Sequence, residues 1–111
     1  MEQERVWIYC RIAHQGLDAF LMAAQVEALK EYAFNNNFSV VGISTEYGSG
    51  LTLDRPGLIE VAKAVKAGMV DAVLVRSLSR IARGFLPAQE EISFLNKHNV
   101  GLILSDQSIT F

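Results

Sequence analysis

The chain has 111 residues, half of them hydrophobic and a fifth charged, with a formal net charge of −2 and a pI near 5.6. That length suits one domain with a buried core and that composition excludes a disordered chain, while the charge balance excludes a globally basic nucleic-acid or membrane-surface protein. The lone cysteine, Cys10, excludes an internal disulfide and a cysteine-based zinc site, and suits a reducing compartment.

The first apolar run, "VWIYCRI" (6–12), is rich enough in β-branched and aromatic residues to predict a strand covered on both faces. Helical spacing follows from Asp18 to Phe34, with Phe20, Leu21, Ala24, Ala28, Leu29 and Tyr32 recurring at threes and fours until Asn35-Asn36-Asn37 stops the helix. "SVVGIST" (39–45) predicts a second strand. Pro56 to Ala67 predicts a helix with the stripe Leu58, Val61, Ala62 and Val65, Pro56 in its first turn and Gly68 at its C-terminal cap. "DAVLVRS" (71–77) reads as a third strand, about Pro87 to Lys97 as a third helix carrying Ile92, Phe94 and Leu95, and "VGLILS" (100–105) as a fourth strand. "SITF" at the end closes the sheet edge. Strands separated by helices imply parallel pairing through right-handed crossovers. The expectation is therefore an α/β, three-layer domain whose mostly parallel central sheet of four to five strands is flanked by helices.

Function in such a fold is sought at the carboxyl ends of the strands, and there the arginines gather. Arg11 ends the first strand, Arg55 stands in "EYGSGLTLDRPGL" (46–58) after the second, and Arg76, Arg80 and Arg83 crowd "VRSLSRIARG" (75–84) after the third. Only Arg5 lies elsewhere, and all four lysines fall on predicted helices or at their ends. A guanidinium offers planar, paired donors that match phosphate oxygens, whereas an ammonium is a hydrated point charge. Converging arginines therefore indicate a phosphate site; the competing reading pairs each with one of twelve surface carboxylates. Gly48 and Gly50 around Ser49 would let a loop approach a ligand, and Gln25 among alanines is either solvated or aimed at the site. Cys10, Trp7 and the phenylalanines are read as core, and His14 and His98 as solvated loop residues.

Taken together and in this order, "YCRIA", Gln25, "EYGSG…DRPGL" and "LSRIAR" resemble the catalytic domain of the resolvase/invertase family of serine recombinases, from Tyr9 to the C-terminus. The resemblance implies a resolvase-like fold. It also implies DNA recombination: a serine attacks a phosphodiester, forms a 5′-phosphoserine, and the strands are exchanged in a tetramer. The covalent bond conserves the phosphodiester energy, so no metal or nucleotide cofactor is implied. Arg11, Arg55, Arg80 and Arg83 match the arginines that hold the scissile phosphate, Gln25 and Ser49 match accessory polar positions, and Arg76 adds charge for phosphate or DNA.

Two departures accompany the match. The family's nucleophile lies two residues after the first arginine, where this chain has Ala13, and Ser79 stands where an aspartate is frequent. Cys10 offers no easy substitute, because strand alternation points it away from Arg11 and Ala13; Ser49 and Ser79 are the stand-ins left open, each needing a base and in-line geometry. The resulting expectation is a serine-recombinase-like catalytic domain over residues 1–111, inactive in cleavage as written, without the family's long dimerisation helix or C-terminal DNA-binding domain. Its expected partners are DNA, held weakly, and further copies or full-length recombinase subunits. The alternative is a non-catalytic regulatory or interaction module derived from such an enzyme. A flavodoxin-like nucleotide binder fits less well, since "IAHQGLDAF" carries one glycine where a phosphate loop needs several. Glu2, Glu4 and Arg5 argue against a secretory leader, and the apolar runs are too short to span a bilayer, so the expected location is cytoplasmic and not membrane-bound.

Overall fold

The computed structural model describes residues 3–12, 19–48 and 55–111. Its elements are β1 (Arg5–Ile12), α1 (Ala19–Asn35), β2 (Ser39–Tyr47), α2 (Pro56–Lys66), β3 (Ala72–Val75), a one-turn helix α3 (Leu78–Ile81), α4 (Phe85–Lys97), β4 (Gly101–Leu104) and β5 (Ile109–Thr110). They form one five-stranded sheet in the order β2-β1-β3-β4-β5, parallel except for β5. The direction of winding reverses at β1, with β2 on one side and β3 on the other. That is the switch point outside which such sheets bind ligands.

Side-chain alternation builds two cores. Val6, Ile8, Cys10 and Ile12 of β1 join Ala72, Leu74 and Ile103 beneath α1. On the opposite face Tyr9, Val73, Val75, Leu102 and Leu104 pack with Leu58, Val61 and Val65 of α2 and Ala88 and Leu95 of α4. The three predicted layers are present.

The turn after each long helix has one chemistry. Asn37, Gly68 and Asn99 take left-handed backbone angles (φ 60, 72 and 60°), and the amide of the next residue bonds back to Ala33, Ala64 and Leu95 at 2.8, 3.1 and 2.9 Å. This paired-carbonyl cap favours glycine or asparagine, which is why the Asn-rich run and Gly68 punctuate the chain.

Several expectations are corrected. On α1 the residues facing the sheet are Met22, Gln25, Leu29 and Ala33, not the Phe20, Leu21, Ala24 and Ala28 side, and Phe20 is 84% exposed. Apolar residues surround this helix, so spacing alone does not select a face; the sheet does. Phe34, Phe85 and Phe111 are likewise exposed, whereas Phe38, Phe94 and Trp7 pack against the cores. The third strand stops at Val75, α3 occupies part of a predicted loop, and α4 begins at Phe85 rather than Pro87, after Gly84 turns the chain at φ 100°. His98 caps α4, its Nδ1 lying 3.0 Å from the Phe94 carbonyl. Ala13, His14, Ser49 and Gly50 lie outside the described residues.

Candidate functional site

β1 pairs with β2 to its very end, Ile12 opposite Tyr47, but with β3 only through Val6, Trp7 and Ile8. Beyond Ile8 the chain after β3 leaves the sheet, and the α3 turn comes alongside β1. Arg11 points to the α2/α4 face, as Tyr9 does, and is 4% exposed. All its bonds go to backbone carbonyls: Nε to Arg80 at 3.0 Å, Nη1 to Gly48 at 2.6 Å, and Nη2 to Ser79. Arg80 answers with Nη1 on the Arg11 carbonyl at 3.1 Å. Burial pushes the Arg11 guanidinium below its ordinary range, and the charges of Arg55, Arg80 and Arg83 push the same way while Tyr9 opposes them. Arg55, Arg80 and Arg83 thus all lie within electrostatic reach of Arg11.

Arg55 immediately precedes α2 and is 8% exposed. Its Nη2 donates to the Ile81 carbonyl, its Cζ lies 5.8 Å from the centre of the Tyr9 ring, and its Nε stands 3.8 Å from Glu46 Oε2. Glu46 in turn accepts the Tyr9 hydroxyl on Oε2 and the Gly57 amide on Oε1 at 2.9 Å. Burial, then the bond to Glu46, raises the Tyr9 phenol far above its usual range, so it stays a donor. Gly57 is required here: a Cβ at that position would lie 2.7 Å from the Glu46 carboxyl carbon. Burial also raises the Glu91 carboxyl on α4, with Arg55 pulling the other way.

Glu46 is the residue missed by sequence reasoning. Its signal was an acid closing an otherwise apolar strand, in register with Arg11 across β1 and β2. Among the described residues it is the one carboxylate ion-paired with any of the four gathered arginines. Arg11, Arg80 and Arg83 form no ion pair among the described residues. Arg55 Nε and Nη1 and Arg80 Nε are buried without hydrogen-bond partners. Unused, desolvated donors on adjacent cations are an arrangement that an anion would complete.

Gln25, Arg76 and Arg80 line a cleft on the α1 side of the sheet, and Arg83 is exposed just beyond α3. Ser79 is exposed, its hydroxyl 3.0 Å from that of Ser77. Cys10 lies in the α1 core with its thiol pushed up to about 12 by burial, which leaves it unreactive. No group of three or more His, Cys, Asp or Glu side chains is placed to hold a metal among the described residues, nor is any helix there long and apolar enough to cross a membrane.

The family model described as "Resolvase, N terminal domain" matches residues 6–111. The N-terminal catalytic domain of TP901-1 integrase superposes with a TM-score of 0.86 at 26% identity, over 96% of this chain and 81% of that one. The C-terminal catalytic domain of ISC1926 TnpA, an IS607-like serine recombinase, gives 0.83 at 25% identity over 90% and 68%. A resolvase family site-specific recombinase from Streptococcus pneumoniae shares the fold, with a TM-score of 0.85 at 24% identity over 97% and 76%. With the arginine pattern, the sheet order and a family match over nearly its whole length in agreement, the chain belongs to the resolvase N-terminal domain family, the catalytic-domain family of serine recombinases.

Proposed function

We propose that this domain holds a DNA phosphodiester between Arg11, Arg55, Arg80 and Arg83, in the manner of a site-specific serine recombinase, and does not cleave it because Ala13 supplies no hydroxyl. The observation that supports this reading is that buried Arg11, bonded to Arg80, feels the charges of Arg55, Arg80 and Arg83, with Glu46 alone ion-paired to any of these four among the described residues. Phosphate oxygens would exchange with the neutral carbonyls of Gly48, Ser79 and Arg80 that now occupy Arg11. Bonds from a guanidinium to an anion are about twice as strong as bonds to a neutral acceptor, so the exchange is downhill once a phosphodiester is delivered. Tyr9 and Glu46 act as positioning residues, fixing Arg55 from behind. Gln25, Ser49 and Arg76 take accessory roles along the DNA. In this reading the partners are DNA and other recombinase subunits, and the site of action is the cytoplasm.

The nucleophile is tested by Ala13→Ser. The domain, fused to a DNA-targeting module and given supercoiled plasmid, is expected to form a covalent protein–DNA adduct with Ser at that position. Ala at 13 should give none, and Arg11→Ala in the Ser background should abolish the adduct. Cleavage by the unaltered domain, or an adduct indifferent to Arg11, refutes the assignment.

A further inference from the structure

We propose that the cleft between α1 and the carboxyl ends of β1 and β3 is a subsite for one nucleotide, base and phosphate together. It lies on the opposite face of the sheet from the Arg11 and Arg55 side chains and has a volume of about 430 Å³. That size falls in the range of small-molecule pockets, roughly 300–1,000 Å³. Ile12, Leu21, Ala24 and Ala28 give it an apolar wall, and the two alanines are exposed on α1.

Two lining side chains carry buried polar atoms with no hydrogen-bond partner. Gln25 is 5% exposed, yet its Oε1 is unsatisfied, and so is Nε of Arg80. An orphaned buried polar atom is unfavourable, so a ligand that satisfies both gains from each. The two atoms make opposite demands. Gln25 Oε1 needs an N–H or O–H donor, and Arg80 Nε needs an acceptor; exposed Arg76 favours an anion at that end, and exposed Asp106 on the same lining would accept from a base or sugar donor. An apolar plate bearing edge donors and joined to a phosphate meets all three conditions, and a nucleotide is such a molecule. Arg80 also links the cleft to the arginine cluster, because its Nη1 is bonded to the Arg11 carbonyl. The inference rests on the phosphodiester reading in preferring a nucleotide to other anions of this shape, and it shares Arg80 with that reading. The nucleotide could come from a DNA strand, unstacked beside the held phosphate, or from the free pool.

The test is a titration of the ¹⁵N-labelled chain at low ionic strength, read by amide shifts. The probes are the 2′-deoxynucleoside 5′-monophosphates, the matching nucleosides, inorganic phosphate, and a short single-stranded oligothymidylate. At least one mononucleotide is expected to saturate, to move the amides of residues 24–28, and to bind at least about tenfold tighter than nucleoside or phosphate alone, the gain of one satisfied polar contact. Gln25→Leu and Ala28→Trp should each weaken it about tenfold or more. Ala28 is exposed, so this second variant keeps the fold if the first does not. Tighter binding of the oligonucleotide, lost in the same variants, identifies the strand as the source; equal binding identifies the free nucleotide. Phosphate binding as tightly as the mononucleotide, shifts confined to residues 46–48 and 80–83, or no saturation by any probe overturns the subsite. The second of these outcomes would leave the phosphodiester site standing, whereas an adduct indifferent to Arg11 would remove that site without touching the titration.

Discussion

Glu46→Gln tests the framework behind the arginines most directly, because it keeps the side chain's shape and removes its charge. The Glu46 and Arg55 side chains are 10% and 9% exposed, so solvent screens their interaction little. Two bonds, from the Tyr9 hydroxyl and the Gly57 amide, change from charge-assisted to neutral. Each such change costs about 1 kcal/mol. The Arg55 guanidinium, 3.8 Å away, loses its carboxylate and keeps the Ile81 carbonyl, at a further cost of about 1–2 kcal/mol. The expected loss is about 3 kcal/mol. An unfolding entropy of about 2.1 cal/mol/K per residue makes each kcal/mol worth ~4 °C in a chain this long, so the midpoint should fall by ~13 °C. Thermal and urea unfolding followed by circular dichroism measure it, and Tyr9→Phe combined with Glu46→Gln should cost less than the two changes summed, since they share a bond. A midpoint within about 2 °C of the parent would show that Glu46 does not hold the cluster and would refute this account of Arg55.

Gly42→Ala should destabilise by about 1–3 kcal/mol through overpacking, because its Cβ would come within 2.3 Å of a ring carbon of Trp7. Trp7→Leu in the same chain should recover part of that loss, and a urea midpoint in which the two changes simply add would contradict the contact. Glu91→Gln has a definite pH signature. Burial raises the folded-state pKa above the ordinary 4.5, so the folded protein binds the proton more tightly and Glu91's contribution to stability is lost as pH rises from that value through the raised one. The variant cannot ionise, so its midpoint should exceed the parent's increasingly from acid to neutral pH; a constant or reversed gap would be evidence against the shift.

The alternation of β-branched runs with helical spacing was enough to determine the layered α/β fold, because a strand needs both faces covered and a crossover helix covers one. Asn37, Gly68 and Asn99 were legible as stops for a similarly local reason, the left-handed backbone of their caps. Apart from Arg5, the arginines were legible as a group because they stand at or after the carboxyl ends of strands, and parallel strands end on one side of the sheet. Their partners were not. That Arg11 is held by carbonyls of Gly48, Ser79 and Arg80 depends on β1 outrunning β3 and on the short α3 turn filling the gap, both consequences of packing. Glu46 acquired its role only when the register set it opposite Arg11 and the missing Cβ of Gly57 let its carboxylate in. The face of α1 was also a tertiary decision, since a helix apolar on most sides has no preferred orientation until a sheet supplies one. That choice buried Gln25 and left the exposed alanines beside it to wall the cleft.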